Sequence, residues 1–309
     1  MSHNHDHAHH HHHGVNSTGS RLMITMMLNF IITIAEIIGG IFSGSLSLIS
    51  DALHNFSDGI SVILSYVAIK LKSKSTSQKH TFGLKRAEIL AAVINSSVLI
   101  IISLFLFYEA GKRLWNPSVV DAKIMSLVAA IGLIANIAGT LLLKRDSKGS
   151  MNIKSSYLHL LSDAVSSAAV IIGGIAIYFW NIYWLDPVLT ILIGIYIIRE
   201  SFFILSDAVH ILMEGAPDNI SVEEIQKEVE KIKEVQDIHH IHMWMVGEND
   251  IHIEAHVNVD DMLISESGLL YSKIEEVMRT KFNIKHVTLQ FECNQCPETG
   301  LIAHHAGTD

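Results

Sequence analysis

The stretch that decides the fold is residues 46–71, LSLISDALHNFSDGISVILSYVAIKL. It is long and apolar enough to cross a membrane as a helix, which takes about 20 mostly apolar residues. Its middle nevertheless carries ionisable side chains. His54 and Asp58 are four positions apart and therefore share one helix face. An aspartate at the centre of a spanning helix costs about 2.5 to 3.5 kcal/mol on insertion scales, so this stretch predicts a paired, protonated or ion-bound carboxylate.

Further stretches of the same length and apolar character surround this one. They are residues 22–42, 87–108, 124–143, 157–180 and 185–205. The sequence therefore predicts an α-helical membrane protein with six transmembrane helices over residues 21–208. Lysine and arginine crowd the second and fourth connections. Because positive charge stays on the cytoplasmic side of a membrane, both termini are predicted to be cytoplasmic.

The last third of the chain has a different, soluble character. Over the whole chain 49% of the 309 residues are hydrophobic, and most of the net charge of -9 comes from this part. Such a negative balance argues against nucleic acid as a partner. Residues 209–292 alternate between helical and strand periods in the order α-β-β-α-β. This order predicts a cytoplasmic α+β domain with a ferredoxin-like layout.

A second His-x-x-x-Asp pair occurs about a hundred residues after the first, in LHLLSDAV, at His159 and Asp163. If the second and fifth helices face each other, two imidazoles and two carboxylates converge, a donor set that suits tetrahedral Zn²⁺. Two carboxylates cancel the charge of a divalent ion. The ligands must lose protons to bind metal, so metal and protons compete. The alternative interpretation is a set of interhelical hydrogen bonds.

Two further acidic residues lie in the same predicted helices. Asp51 is seven positions before Asp58 on the same face, and it is predicted to support the ligands without binding the ion. Glu36 in the first helix is interpreted as a helix-end or interhelical partner.

Histidines are also abundant outside the membrane segments. The strand pattern of DIHHIHMWMV puts His240 and His242 on one face and His239 on the other. The next strand puts His252 and His256 on a shared face. Residues 1–20 form a histidine-rich tail, either a purification tag or a native tract that binds metal weakly. Residues 293–309 form a second tail that contains both cysteines.

The motifs resemble the zinc-efflux branch of the cation diffusion facilitator family over nearly all of residues 21–292. The resemblance is carried by GSLSLISDALHNFSD, HTFGLKRAEILAAVIN, LHLLSDAVSS, DPVLTILIGIYI, ILMEGAP, IHMW, EAHV and HVTLQFE. It implies a homodimer in a bacterial inner membrane that is not an enzyme and exports divalent metal in exchange for protons. His54 at the first ligand position favours Zn²⁺ as substrate, with Co²⁺ or Cd²⁺ as alternatives.

The resemblance also assigns site residues. It implies that the transported ion binds to His54, Asp58, His159 and Asp163. It implies a second, regulatory zinc site in the cytoplasmic domain, formed by His242, His256 and His286 together with Glu292, Cys293 and Cys296. His80, at the start of the third helix, is either an interfacial ligand or an ordinary loop histidine.

Two other classes of function stay open at this point. A membrane metal sensor would bind the ion without moving it. An intramembrane metallohydrolase would need an HExxH helix or another general base beside a metal-bound water, and four protein ligands leave no open position for that water.

Overall fold

A computed structural model gives the fold and describes residues 14–72, 76–144, 151–247, 250–293 and 300–302. The histidine tract at residues 1–13, Cys296 and the tip of the hairpin between the first two strands lie outside these ranges. The elements are α1 (Gly14–Ser43), α2 (Leu46–Lys72), α3 (Ala87–Trp115), α4 (Ala122–Leu143), α5 (Met151–Trp180), α6 (Leu185–Leu212), α7 (Val222–Val229), β1 (Val235–Gly247), β2 (Asp250–Val259), α8 (Ile264–Phe282) and β3 (His286–Glu292). The predicted six long helices and the α-β-β-α-β order are confirmed.

The first compact unit consists of α1, α2 up to Ile63, and α3 to α6 between Asn95 and Phe202. Here α4 packs against both α5 and α1, and one core cluster joins Leu48, Met125 and Val170. Large apolar side chains such as Ile101 and Ile134 are about two-thirds exposed on the outside of the unit. Among the described residues, α3, α4, α5 and α6 are each long and apolar enough to cross a membrane. This outer surface fits a lipid environment.

The start of α2 is fixed by a buried carboxylate from the first turn of α6. The Oδ1 atom of Asp186 accepts hydrogen bonds from the hydroxyls of Ser45 (2.6 Å) and Ser47 (2.7 Å). Its Oδ2 atom accepts one from the backbone N–H of Leu46 at 2.9 Å. A carboxylate at this position satisfies backbone donors that a helix start leaves unpaired. Arg113 of α3 lies 4.0 Å from the same carboxylate. These contacts fix the position and rotation of the start of α2, and therefore the direction in which its polar residues face.

The second compact unit consists of residues 64–94 and the chain from Phe203 onward. Its sheet has the order β1-β2-β3, with β1 antiparallel and β3 parallel to β2. The buried core includes Ile225 of α7, Ile253 of β2, and Ile274 and Met278 of α8. One face of the sheet is therefore covered by helices, and the other face carries the histidines. Ser221 caps α7 by accepting a hydrogen bond from the Glu224 N–H.

Apolar residues at helical spacing in the sequence predict a helix over residues 221–235, but α7 ends at Val229. A turn follows, and Val235 begins β1 opposite Val259. Ile232 still packs against the core from this turn. The apolar spacing that predicts a longer helix therefore reflects burial of the turn.

The predicted placement of His239 on the opposite face from His240 and His242 is wrong. A β-bulge lies between His239 and His242, where β1 pairs with His256 and then with Glu254 of β2. An extra residue on one strand shifts the alternation of side chains. His240 at the bulge has φ of 48°. As a result, all three histidines lie on the face of the sheet that the helices leave open.

Candidate metal sites

Within the first unit, the two His-x-x-x-Asp pairs of α2 and α5 meet. The Oδ2 atom of Asp58 lies 3.5 Å from His54 Nε2 and 3.2 Å from His159 Nε2. His159 Nε2 lies 3.5 Å from Oδ2 of Asp163. The two imidazole rings are 5.9 Å apart, centre to centre. Ligand atoms of His54, His159 and Asp163 all lie within 4.8 Å of one another. The structure thus brings all four predicted side chains together.

Several atoms of this cluster are buried without a hydrogen-bond partner. They are Nδ1 of His54 and the Oδ2 atoms of Asp58 and Asp163, two oxygens whose contacts at 3.2 and 3.5 Å are with the imidazole of His159. Asp163 is only 2% exposed. Unpartnered buried carboxylate oxygens are rare because each carries a desolvation penalty of about 1 to 3 kcal/mol, and more when the group is charged. A divalent cation bound among them would remove that penalty, so the donor set fits a cation.

Side chains behind the cluster fix the helices that carry it. Asp51 of α2 accepts hydrogen bonds from the hydroxyls of Ser166 (2.5 Å) and Ser167 (3.3 Å) of α5. Tyr196 of α6 contacts the His54 ring edge-on, with ring centres 6.3 Å apart, and its hydroxyl bonds Ser162 of α5 at 3.0 Å. The hydrogen bonds of Asp51 hold α2 against α5. The contacts of Tyr196 hold α6 against both of these helices. Asp51 thus contacts the helix that carries His159 and Asp163, and its supporting role stays a prediction.

A second cluster of ligand atoms lies on the open face of the C-terminal sheet, at the β-bulge. Ligand atoms of His239, His240 and His256 lie within 4.8 Å of one another. Glu292 of β3 joins them, with Oε1 2.7 Å from His256 Nδ1 and Oε2 3.5 Å from His239 Nε2. Asp237 lies 2.6 Å from His239 Nδ1. A carboxylate on one ring nitrogen commonly orients the other nitrogen toward a metal.

The remaining predicted ligands of this domain lie elsewhere. His242 is exposed opposite Glu254. His286 contacts His252 with tilted rings whose centres are 4.3 Å apart. Neither belongs to a cluster of three or more ligand atoms in the described part of the chain. Cys293 is exposed. Of the predicted set, the structure therefore groups His256 and Glu292 and adds His239 and His240, which the bulge brings in.

His252 lies in an aromatic cluster that favours its neutral form. Its ring stacks on Trp244 with centres 5.7 Å apart. Burial lowers the pKa of His252, and the neighbouring charges of His286 and Lys85 lower it further. The folded domain therefore binds fewer protons at His252 than the unfolded chain does.

This pKa shift predicts a pH-dependent stability of the C-terminal domain. The unfolded state binds more protons, so the free energy of unfolding falls as the pH drops below about 6.5 toward the lowered folded pKa. His252→Phe keeps the aromatic stack and removes this part of the pH dependence. Pulse proteolysis of the full chain across a denaturant series at about pH 7.5 and pH 5.5 measures the effect. Equal pH sensitivity in both proteins would contradict it.

The helical membrane unit therefore carries a buried imidazole–carboxylate cluster whose donor set fits a divalent cation. Residues 22–213 match the family model of the cation efflux transmembrane domain, and residues 217–293 match that of the cation efflux protein cytoplasmic domain. The chain belongs to the cation efflux family.

Named relatives extend over most of the chain. A protein named "Cadmium, cobalt and zinc/H(+)-K(+) antiporter" from Bacillus subtilis is 41% identical over 262 residues, 84% of each chain. The "Zinc transporter ZitB" of Pectobacterium atrosepticum is 35% identical over 94% of this chain and 90% of its own. A solved structure of the metal-bound C-terminal domain of the CzcD transporter from Cupriavidus metallidurans is 27% identical, with a TM-score of 0.22, over 24% of this chain and 99% of its own.

Proposed function

We propose that this protein exports divalent metal ions, Zn²⁺ foremost, from the cytoplasm in exchange for protons. The observation that carries the proposal is the cluster formed by His54, Asp58, His159 and Asp163. One buried oxygen of each carboxylate in this cluster accepts no hydrogen bond. Two nitrogens and two carboxylate oxygens suit tetrahedral Zn²⁺. Two ionised carboxylates and two neutral imidazoles around a divalent ion give a site without net charge, which lowers the cost of holding the ion in a bilayer.

Exchange with protons follows from the same ligands. Imidazole binds metal only in its neutral form, and carboxylate binds it ionised, so bound protons and bound metal exclude each other. The relatives named as zinc transporters and as a zinc/H⁺ antiporter support this choice of substrate and coupling ion. Co²⁺ and Cd²⁺ are further substrates to compare.

Vesicle flux tests this function. Purified protein reconstituted in liposomes with a zinc-sensitive dye inside should move Zn²⁺ when a pH gradient is imposed, and a protonophore should stop the movement. A metal sensor would bind Zn²⁺ and give no flux. Zinc flux that is insensitive to the pH gradient would contradict proton exchange, and a comparison of Zn²⁺, Co²⁺, Cd²⁺ and Mn²⁺ would rank the substrates.

We further propose that both termini are cytoplasmic, that the protein is a homodimer in a bacterial inner membrane, and that its C-terminal domain binds a regulatory zinc ion. The ligands would be His239, His240, His256 and Glu292. The fit rests on the buried Nε2 of His239 and Oε2 of Glu292, which face each other at 3.5 Å without a hydrogen bond. A bound metal ion would be coordinated by these side chains together and would thereby link the bulged strand β1 to β3.

The composition of the regulatory site gives a sharp prediction. His256→Ala should weaken zinc binding at this site by at least about tenfold, since even residues that only orient metal ligands contribute 10- to 100-fold. His242→Ala, an exposed histidine on the same sheet face, is the matched control and should leave the affinity unchanged. Competition with a zinc chelator on the full chain measures both. A loss of affinity in His242→Ala as large as that in His256→Ala would restore the arrangement expected from sequence, and an unchanged affinity in His256→Ala would contradict both arrangements.

A further inference from the structure

A buried carboxylate on α1 lies outside the set of four metal ligands. Glu36 is fully buried. Its Oε2 atom accepts one hydrogen bond, from the side-chain amide of Asn55 on α2 at 3.1 Å. Its Oε1 atom has no hydrogen-bond partner within the described residues, and the same holds for Oδ1 of Asn55. A side chain at Gly132 of α4 would overlap Oε1 of Glu36, so α4 leaves room beside this oxygen and offers no donor there.

Two neighbouring carboxylates carry charge of the same sign as Glu36. Within the described part of the chain, they are Asp51 of α2 and Asp163 of α5. Both are 2% exposed. A metal ion would compensate Asp163, and two serine hydroxyls stabilise Asp51. Glu36 has one amide hydrogen bond and no cation, so it is the least supported of these carboxylates when ionised. An uncompensated buried charge costs several kcal/mol.

One added proton would supply the hydrogen-bond donor that is missing between Glu36 and Asn55. The two side chains together contain two buried acceptor oxygens without a donor. A proton on the carboxyl group converts one of these acceptors into a donor and removes the negative charge. The missing counter-charge and the missing hydrogen-bond donor therefore both point to a proton. Among the described residues, Glu36 belongs to no group of three or more side chains that could hold a metal ion.

We propose that Glu36 is a proton site coupled to the metal site, protonated when the transport site is empty and ionised when a divalent cation is bound there. The proposal rests on the proposed function, because it assigns one of the exchanged protons. When the cation binds beside Asp163, its positive charge favours the ionised form of Glu36, and the O–H bond breaks to release H⁺. When the cation leaves, the carboxylate takes up H⁺ again. Atoms and charge balance with no other reactant.

The test counts protons released per zinc ion bound. Calorimetric zinc titrations of the full chain in two buffers of different ionisation enthalpy give this number. Glu36→Gln keeps an oxygen for the Asn55 amide and cannot ionise, so it should release about one proton fewer per transport site than the wild type. Protons released at the C-terminal site are the same in both proteins and cancel. Glu109→Gln, a carboxylate paired with Lys112 at 3.1 Å on α3, is the control and should match the wild type.

Difference infrared spectroscopy gives a second measurement. It is made first on the wild type, and it uses a second variant in case Glu36→Gln does not fold. Zinc binding to the wild type should remove the C=O stretch of a protonated carboxylic acid. That band should be absent in Glu36→Gln and shifted in Glu36→Asp. Equal proton release in the wild type and Glu36→Gln, or the same band in both, would overturn the proposal.

The same experiments separate this proposal from two others. Zinc titrations in K⁺ and in a large organic cation should agree. A zinc affinity that depends on K⁺, with the dependence removed in Glu36→Gln and the proton count unchanged, would make Glu36 a potassium site and overturn the proposal. Absence of zinc flux in wild-type liposomes would overturn the transport function, while the proton count would still decide the assignment of Glu36.

Discussion

Zinc flux is expected to fall at least about 100-fold in Asp163→Ala. This corresponds to a loss of more than about 2.7 kcal/mol in the free energy of zinc binding at the transport site. Asp163 supplies a carboxylate oxygen that is buried, unpartnered and 3.5 Å from His159 Nε2. Without it, the loaded site retains a net positive charge in a medium of low dielectric constant, where an uncompensated charge is costly. His54→Ala should have a similar effect because it removes a ligand from the opposite helix.

The matched control for this prediction is Asp207→Asn, which neutralises an exposed aspartate on α6. Its flux should equal that of the wild type. The measurement is initial zinc uptake into liposomes at a fixed pH gradient, normalised to the amount of reconstituted protein. Flux of Asp163→Ala within about twofold of the control would show that the transported ion takes a route without this carboxylate.

Asp186→Ala is expected to lower the free energy of unfolding of the membrane unit by about 3 to 5 kcal/mol. The carboxylate is fully buried, and its removal leaves two serine hydroxyls and two backbone N–H groups at the start of α2 without their acceptor. It also removes the negative partner of Arg113. Because α2 carries His54 and Asp58, loosening its first turn should weaken zinc binding as a consequence.

Asp121→Ala provides a control of the same chemistry at lower expected cost. Asp121 caps α4 by accepting hydrogen bonds from the Lys123 and Ile124 N–H groups. Loss of such a cap costs about 1 kcal/mol. Reversible unfolding in mixed detergent micelles compares the two variants with the wild type. A destabilisation by Asp186→Ala no larger than that of Asp121→Ala would contradict the role given to this network.

The sequence predicts the membrane helices and the convergence at His54 and His159 for one physical reason. Ionisable groups are costly in a bilayer, so each pair in α2 and α5 stands out against an apolar background. Their four-residue spacing then specifies the face on which they lie. The order of elements in the C-terminal domain is predictable for a similar reason, because helical and strand periods differ.

The composition of the C-terminal cluster is not predictable in the same way. Strand alternation assigns faces only while the pairing stays regular, and one inserted residue moves every later side chain to the other face. The bulge between His239 and His242 does this, and the adjacent histidines HH were the local signal available. Hydrogen bonds from His240 and Ile241 N–H to the carbonyls of Gly300 and Leu301 stabilise the bulge from residues far along the chain.

The structural roles of Asp186 and Glu36 depend on long-range contacts. Asp186 bonds Ser45, which is 141 positions away, and its place in the sequence resembles any helix start. Glu36 has the local features of an ordinary interhelical partner. Its lack of a second donor is a property of the packed helices, since it depends on Asn55 and on the absence of a side chain at Gly132.

The central claim is that two imidazoles and two carboxylates of α2 and α5 bind the transported ion. Zinc X-ray absorption on His256→Ala, in which zinc binding at the C-terminal site is weakened, tests this claim most directly at one zinc ion per chain. The predicted result is one zinc ion per chain with four nitrogen or oxygen ligands, imidazole scattering and no sulfur, and loss of this zinc when His54→Ala is added. A zinc shell that contains sulfur, or an unchanged spectrum and zinc content after His54→Ala, would contradict the claim.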